Sequence, residues 1–221
     1  LRRYQEMIEE HIAGEMRNVM EEVVRTGGQM DSVQATKFPV LNMLNTRWFI
    51  MPTQGGATMP LSNPYAFGNA WFVGDVKYVA NANEEIGALH TINPAVTAVV
   101  DNKFKEQVKA QPSAGNIVLK EYDANRLVYE TDSKNGGVVV FSEIYYPGWR
   151  SYIDGEEVPH GRADYILRAM NVPAGKHTIE FVFDPQSLHV TEAVAYTALA
   201  LLLLGFIVAV VLQFRKKKVT E

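Results

Sequence analysis

Ala193–Phe214 reads AVAYTALALLLLGFIVAVVLQF, without one charged side chain, and Arg215-Lys216-Lys217-Lys218 follow at once. At about 1.5 Å of rise per residue the stretch reaches roughly 33 Å as a helix, enough for the ~30 Å hydrocarbon core of a bilayer. A helix buried in a water-soluble protein keeps a polar stripe over such a length, and this one has none. The pattern therefore predicts a transmembrane helix over 193–214. Lys and Arg beside a span stay on the cytoplasmic side, so 215–221 is predicted as a basic cytoplasmic tail and residues 1–192 as extracytoplasmic.

Working back from that span, the charge divides unevenly. The whole chain carries −4, and the tail holds four cations against Glu221, a net +3, which leaves −7 on residues 1–192. An acidic domain excludes nucleic acid as a partner, since phosphate binding needs a basic surface. The absence of Cys excludes a disulfide scaffold, a thiolate metal site and a cysteine nucleophile. Some 190 residues are enough to bury a core without such staples. Residue 1 is Leu, and no short apolar run with a small-residue cleavage site follows it. The expectation is a C-terminal piece of a longer membrane protein, whose upstream spans deliver residues 1–192 across the bilayer.

The first 110 residues are predicted as a mixed α/β region. Leu1, Tyr4, Met7, Ile8, Ile12, Met16, Val19, Met20, Val23 and Val24 recur at helical spacing. Arg2, Glu6, Glu9, Glu10, Glu15, Arg17 and Glu21 fall mostly elsewhere on the wheel, and Thr26-Gly27-Gly28 supplies the stop. The stripe suits either packing on its own domain or docking to a partner. Further on, Val40–Leu44 reads as a helical turn, Arg47–Met51, Ala70–Ala80 and Ala95–Asp101 as strands, and Pro60–Pro64 as loop. Asn83–His90 reads as a short helix opened by an Asn cap, with Glu84 and Glu85 in its first turn, and Asp101–Ala110 as a third helical stretch.

After Gln111-Pro112-Ser113-Ala114-Gly115 the texture changes to short strands and turns. Ile117–Tyr122 and Arg126–Thr131 flank Asp123-Ala124-Asn125, and Gly137–Tyr146 is apolar and β-branched. Trp149–Ile153 precedes the hairpin signal Asp154-Gly155. Alternation continues through Tyr165–Met170 and Thr178–Phe183. The prediction is an antiparallel β-sandwich over 117–185, and the fold class is α+β: N-terminal helix, mixed region, sandwich, then one transmembrane helix.

Motifs that carry chemistry are sparse. The five His residues, at 11, 90, 160, 177 and 189, show no metal-ligand spacing, so no metal or other cofactor is expected. No phosphate-binding loop, dinucleotide fingerprint or nucleophile elbow is present. Glu84-Glu85 and Glu156-Glu157 are adjacent carboxylates whose side chains diverge, which does not make an acid/base pair. The most suggestive cluster is Tyr145, Tyr146, Trp149, Tyr152, Asp154, Arg162 and Arg168, with Asp164 nearby. Sugars present apolar faces edged by hydroxyls, which aromatic platforms beside Asp and Arg suit. Aromatics are also favoured strand residues, so Trp149 equally suits the sandwich core. Trp48, Trp71 and Phe72 with the Gln54–Pro64 loop form a second such candidate.

Three groups of residues carry a resemblance. They are Phe141-Ser-Glu-Ile-Tyr-Tyr-Pro-Gly-Trp-Arg-Ser-Tyr-Ile-Asp-Gly-Glu-Glu-Val158, Ala163-Asp-Tyr-Ile-Leu-Arg-Ala169 and Val172-Pro-Ala-Gly-Lys-His-Thr-Ile-Glu-Phe-Val-Phe183. Together they resemble the C-terminal domain of the YfhO family of large bacterial polytopic membrane proteins. Asn42–Ile50 and Asn69–Val73 are similar to that family's preceding extracytoplasmic region. The resemblance implies the architecture of membrane glycosyltransferases that use polyprenyl-phosphate sugars, and a role in glycosylating cell-envelope polymers or lipids from the bacterial cytoplasmic (inner) membrane. In such transferases the catalytic carboxylate lies in an early outer loop, so the resemblance places no catalytic residue in this chain. The implied partners are the lipid bilayer, the upstream transmembrane region of the same polypeptide and an envelope glycan. The expected function is a non-catalytic extracytoplasmic domain, and the alternative is a membrane-anchored carbohydrate-binding or structural module.

Overall fold

Met7, His11, Glu15, Val19 and Glu22 are the buried positions of the N-terminal helix. Their early spacing is four residues, wider than the 3.6 of an α-helix, so a regular helix would rotate this row off one face. The computed structural model, which describes residues 2–53 and 56–219 (without the side chains of 210–211 and 213–219), shows how the mismatch is absorbed. The α-helix α1 (Arg2–Met7) passes through one π turn at Ile8–Ile12 and continues as α2 (Ala13–Thr26). Gly27 then takes φ 64°, and the Gly28 amide donates to the Val23 carbonyl at 2.8 Å, closing the helix as the Gly pair predicts. The stripe packs on its own domain. Glu15 sits on the buried face, against the expectation that it would lie off it, and Glu22 is buried there too; each accepts from backbone amides of other segments. Glu15 accepts from the Val40 and Leu41 amides, at 3.0 and 2.8 Å, and so caps α3 (Pro39–Met43). Glu22 accepts from the Gln34 amide, Lys37 and Arg25.

Strands β1 (Trp48–Pro52) and β2 (Thr58–Ser62) form an antiparallel hairpin, although Pro60 argued for loop. A two-stranded ribbon is all edge, so a proline there removes no interior ladder bond. The predicted strand 70–80 is two strands, β3 (Ala70–Val73) and β4 (Asp75–Val79), which join different sheets. The helix α4 (Ala82–Ala88) starts ahead of its predicted bounds. Its cap is Asn81, whose side chain accepts from the Glu84 amide at 3.0 Å, while Glu84 returns a bond to the Ala80 amide. Strand β5 (Thr97–Asp101) pairs parallel with β4. Of the predicted helix 101–110, only a 3₁₀ turn at Asn102–Phe104 forms, and Asp101 caps it.

The remaining strands are β6 (Asn116–Tyr122), β7 (Arg126–Ser133), β8 (Gly137–Ile144), β9 (Trp149–Ile153), β10 (Glu156–Glu157), β11 (Gly161–Ala163), β12 (Leu167–Val172) and β13 (Gly175–Phe183). They build a five-stranded sheet in the order β10-β9-β13-β7-β6 and a four-stranded sheet in the order β11-β12-β8-β3. Leu127, Tyr129, Ile179 and Phe181 of the first meet Val139, Phe141, Met170 and Val172 of the second. The second sheet is apolar on its other side too, where Val138, Val140, Leu167 and Ala169 pack on β4, β5 and α4. That double burial is why β8 reads as an unbroken apolar run rather than an alternation. The fold is α+β. Leu1–Val182 form one compact unit, and Phe183–Glu221 a second.

The second unit is α5 (Gln186–Val219), within which Gln186–Ala209 is long and apolar enough to cross a membrane and is fully exposed. The helix begins seven residues ahead of the predicted 193 and continues into the predicted tail. Thr220, Glu221 and the side chains of the basic cluster lie outside the described residues.

Candidate functional site

Four of the seven candidate side chains belong to one stack of aromatic rings and guanidinium groups. The Arg162 guanidinium lies 5.0 Å from the Phe104 ring, Phe104 meets Tyr145 edge-on at 5.3 Å, and Tyr145 meets His160 at 5.6 Å. His160 then meets Phe181 at 5.3 Å, and the Arg168 guanidinium lies 5.0 Å from Phe181 and 4.0 Å from Trp149. Edge-on rings and cations over ring faces are the favoured geometries for a π quadrupole, more so where water is excluded. Sequence reasoning missed Phe104, His160 and Phe181, the links of this stack, because they come from three distant segments.

Arg168 is held inside the sandwich. Its Nε donates to the Ile144 carbonyl at 3.1 Å, and Glu143 lies 3.9 Å from its Nη2. Burial lowers the Arg168 pKa to about 10, so it remains charged at neutral pH, and burial raises that of Glu143. The same burial, with Arg168 nearby, lowers His160 to about 4. His160 is therefore neutral. Ser151 donates to the Val158 carbonyl at 2.5 Å, which makes its oxygen the acceptor for Nδ1–H of His160 at 2.8 Å and assigns the tautomer.

At its other end, Arg162 enters a buried ionic network. Its Nη2 lies 2.7 Å from Glu85 and 3.7 Å from Asp101. Glu85 is fully buried and also faces Arg3 at 3.4 Å and the Tyr165 amide at 3.3 Å, while the Tyr165 hydroxyl donates to Glu6. Neighbouring Asp164 exchanges two bonds with Val99, backbone to backbone and amide to carboxylate, each 2.8 Å long. Burial pushes Asp164 up to about 8, which leaves it protonated at neutral pH. The Glu84-Glu85 doublet thus divides as strand and helix geometry demands, with Glu84 on the cap and Glu85 in the core.

Asp154 stands apart from the stack. It takes φ 52° in the β9–β10 turn, accepts from the Thr178 amide at 2.9 Å and meets His177 Nδ1 at 2.6 Å. The other ring nitrogen of His177 faces the Ala174 carbonyl at 3.0 Å, and both contacts raise its pKa. This pair borders an open cavity of about 650 Å³ whose lining includes Asn171, Glu156 and Gln111. Tyr152 is half-buried on β9, opposite Glu157 in the β9–β10 ladder, and Tyr146 is exposed just after β8. In the second aromatic candidate, Trp48 is exposed on β1, while Trp71 donates to the Pro94 carbonyl at 3.0 Å.

The histidines are less scattered than their spacing implies. His11, carried by the π turn, stacks on His90 at 4.2 Å and bonds the Ile86 carbonyl at 2.9 Å, and His90 meets Glu10 at 3.1 Å. Among the described residues no group of three or more His, Asp or Glu side chains converges as metal ligands.

A family model described as "Bacterial membrane protein YfhO" matches residues 85–195, half of the chain. No curated protein and no solved structure matches it. The matched segment starts at Glu85 and spans Arg162, Arg168 and the whole sandwich except β3.

Proposed function

The chain belongs to the YfhO family of bacterial membrane proteins, and from that premise we propose that residues 1–192 are a non-catalytic extracytoplasmic domain of a glycosyltransferase-like integral membrane protein. The parent acts in glycosylation of cell-envelope polymer or lipid at the bacterial cytoplasmic membrane. Its domain stands outside and the basic tail after the span stands inside. One observation supports the non-catalytic part: the carboxylates buried beside the stack are already consumed by structure, and Asp154 at the open cavity is engaged by His177 and the Thr178 amide. Glu85 is enclosed by Arg162, Arg3 and the Tyr165 amide, and Asp164 is fully buried against Val99. Neither leaves a carboxylate facing a cleft where a sugar would react.

In this reading sugar recognition falls to half-buried Trp149, stacked with Arg168, and exposed Tyr146, with half-buried Tyr152 on the opposite face of β9 as a separate contact. Arg162 and Tyr145 continue the stack behind the Trp149 ring, while Asp154 lies apart at the β9–β10 turn. The purified chain, given polyprenyl-phosphate sugars and envelope acceptors, is expected to show binding without turnover. Sugar transfer or hydrolysis by this chain alone would overturn the assignment. Binding is expected to weaken in Tyr146→Ala, whose exposed ring can be removed without opening the core.

A further inference from the structure

Between Arg47 and Asp75 there is no charged side chain, in a domain that otherwise carries −7. The β1–β2 hairpin lies in this stretch, and its two faces differ. Phe49 and Met51 point inward onto Val19, Phe38 and Leu41. Trp48 and Ile50 point the other way and are 58% and 59% exposed, opposite Ser62 and Pro60 across the ladder. Met59, on the second strand, pairs with Met51 and so belongs to the opposite face. Other exposed apolar side chains of this unit, such as Val24, Val96 and Val118, scatter over separate elements. A concentrated apolar face that keeps Trp in water marks an interaction surface.

We propose that this face rests on the lipid bilayer, as a second membrane contact besides the span. Three observations select lipid over other occupants. The same polypeptide carries the apolar helix Gln186–Ala209, and only Asp184 and Pro185 separate that helix from β13, so lipid is always within reach of the folded unit. The face combines Trp with aliphatic side chains and no charge, the composition that settles at headgroup depth, where an indole ring is apolar on its body and polar at its N–H. Its rim carries a cation matched to lipid phosphate. Among the described residues, Arg47 is bonded by two neutral amide oxygens, Asn45 at 3.3 Å and Asn69 at 2.9 Å, and forms no ion pair. Its position is fixed while its charge stays uncompensated, beside an open groove of about 390 Å³ lined by Trp48, Ser62 and Asn63. The contact does not depend on the transferase reading, because it requires only that the chain be membrane-bound.

The chain has no Cys, so a single introduced thiol reports alone. Ile50→Cys and, as a control on β6, Val118→Cys are labelled with an environment-sensitive fluorophore in the full chain, reconstituted in phosphatidylcholine–phosphatidylglycerol vesicles. The label at 50 is expected to emit further to the blue than the label at 118, and to lose intensity when nitroxide-bearing lipid is included. Equal, water-like emission at both positions would overturn the proposal. So would a blue shift at 50 that nitroxide lipid leaves unquenched, since that outcome signals burial against protein. Equal quenching at both positions would refute a specific face.

Discussion

Replacing Glu85 with Ala removes the anionic centre of the α4–β11 network while leaving its cations in place. Arg162 then keeps only Asp101, at 3.7 Å, in surroundings where its side chain is 7% exposed. Its Nε already has no hydrogen-bond partner among the described residues. Breaking a buried pair from one side strands the other charge and costs about 3–5 kcal/mol. For a unit of this size each kcal/mol moves the midpoint by about 2–4 °C, so the expected loss is roughly 6–20 °C. The three Trp residues all lie within Leu1–Val182, so thermal unfolding of the full chain in detergent, followed by tryptophan fluorescence, reads this unit and not the span. The internal control is Glu130→Ala, which breaks the exposed Lys120–Glu130 pair of 2.9 Å and should cost less than about 1 kcal/mol. Glu85→Leu combined with Arg162→Met should recover much of the loss, because the deeply buried Arg162 charge is gone, Asp101 keeps Lys103 at 3.2 Å, and Arg3 is about a third exposed. The reasoning is refuted if Glu85→Ala shifts the midpoint no further than Glu130→Ala, or if the double variant melts below the single one.

Further outcomes are expected from the same geometry. Asp164 and Glu15 titrate at about 8 and about 7 in the fold, above their ordinary range, so the native state holds protons that the unfolded chain releases above about pH 4. Stability should therefore fall as pH rises toward 8, and Asp164→Asn should flatten that slope; an unchanged slope would locate the dependence elsewhere. Glu22, held near 2 by Arg25 and Lys37, works in the opposite direction. Its contribution is present above about pH 4 and is lost as pH falls toward 2, so Glu22→Gln should lessen acid sensitivity in titrations below pH 4. Gly136→Ala should lower the melting midpoint sharply, since φ is 72° and a Cβ would sit 2.5 Å from the Val172 carbonyl oxygen, whereas Gly87→Ala in α4 meets open space and should raise it slightly. In intact cells made permeable only at their outer barrier, an impermeant maleimide should label Glu156→Cys and spare Thr220→Cys; the reverse pattern would invert the topology.

Where the sequence was legible, the determinants were local. Trp149–Ile153 with Asp154-Gly155 forms the predicted strand and turn, because a Gly and an Asp tolerant of positive φ fix a two-residue hairpin whatever surrounds it. The Gly27-Gly28 stop and the apolar helix were readable for the same reason. The misreadings were tertiary. Nothing local announces that Gly74 separates strands bound for different sheets, or that 105–110 stays out of a helix while Phe104 packs against Tyr145 and Arg162. Among the candidate residues, Trp149 on β9 and Arg168 on β12 meet across the two sheets of the sandwich, a contact that alternation within a strand does not specify. Arg162 and Glu85 meet across 77 positions, and no spacing rule reaches that far.

The π turn at Ile8–Ile12 changes how the first helix should be counted. From Met7 to Val19, three turns of chain take twelve residues, where a regular α-helix would use about eleven. The helix thus holds one residue beyond what its two buried ends require. Excising exposed Glu9 would let the segment close as an unbroken α-helix, with Met7 still on the core of α4 and Val19 still on that of α3 and the hairpin. Besides the exposed Gln5–Glu9 bond and the Glu10–His90 contact, the surplus residue would be missed at His11, whose ring the widened turn holds against His90 and the Ile86 carbonyl. In a helix where almost any deletion would rotate one half against the other, this turn is the place where the chain can lose a residue and keep its phase.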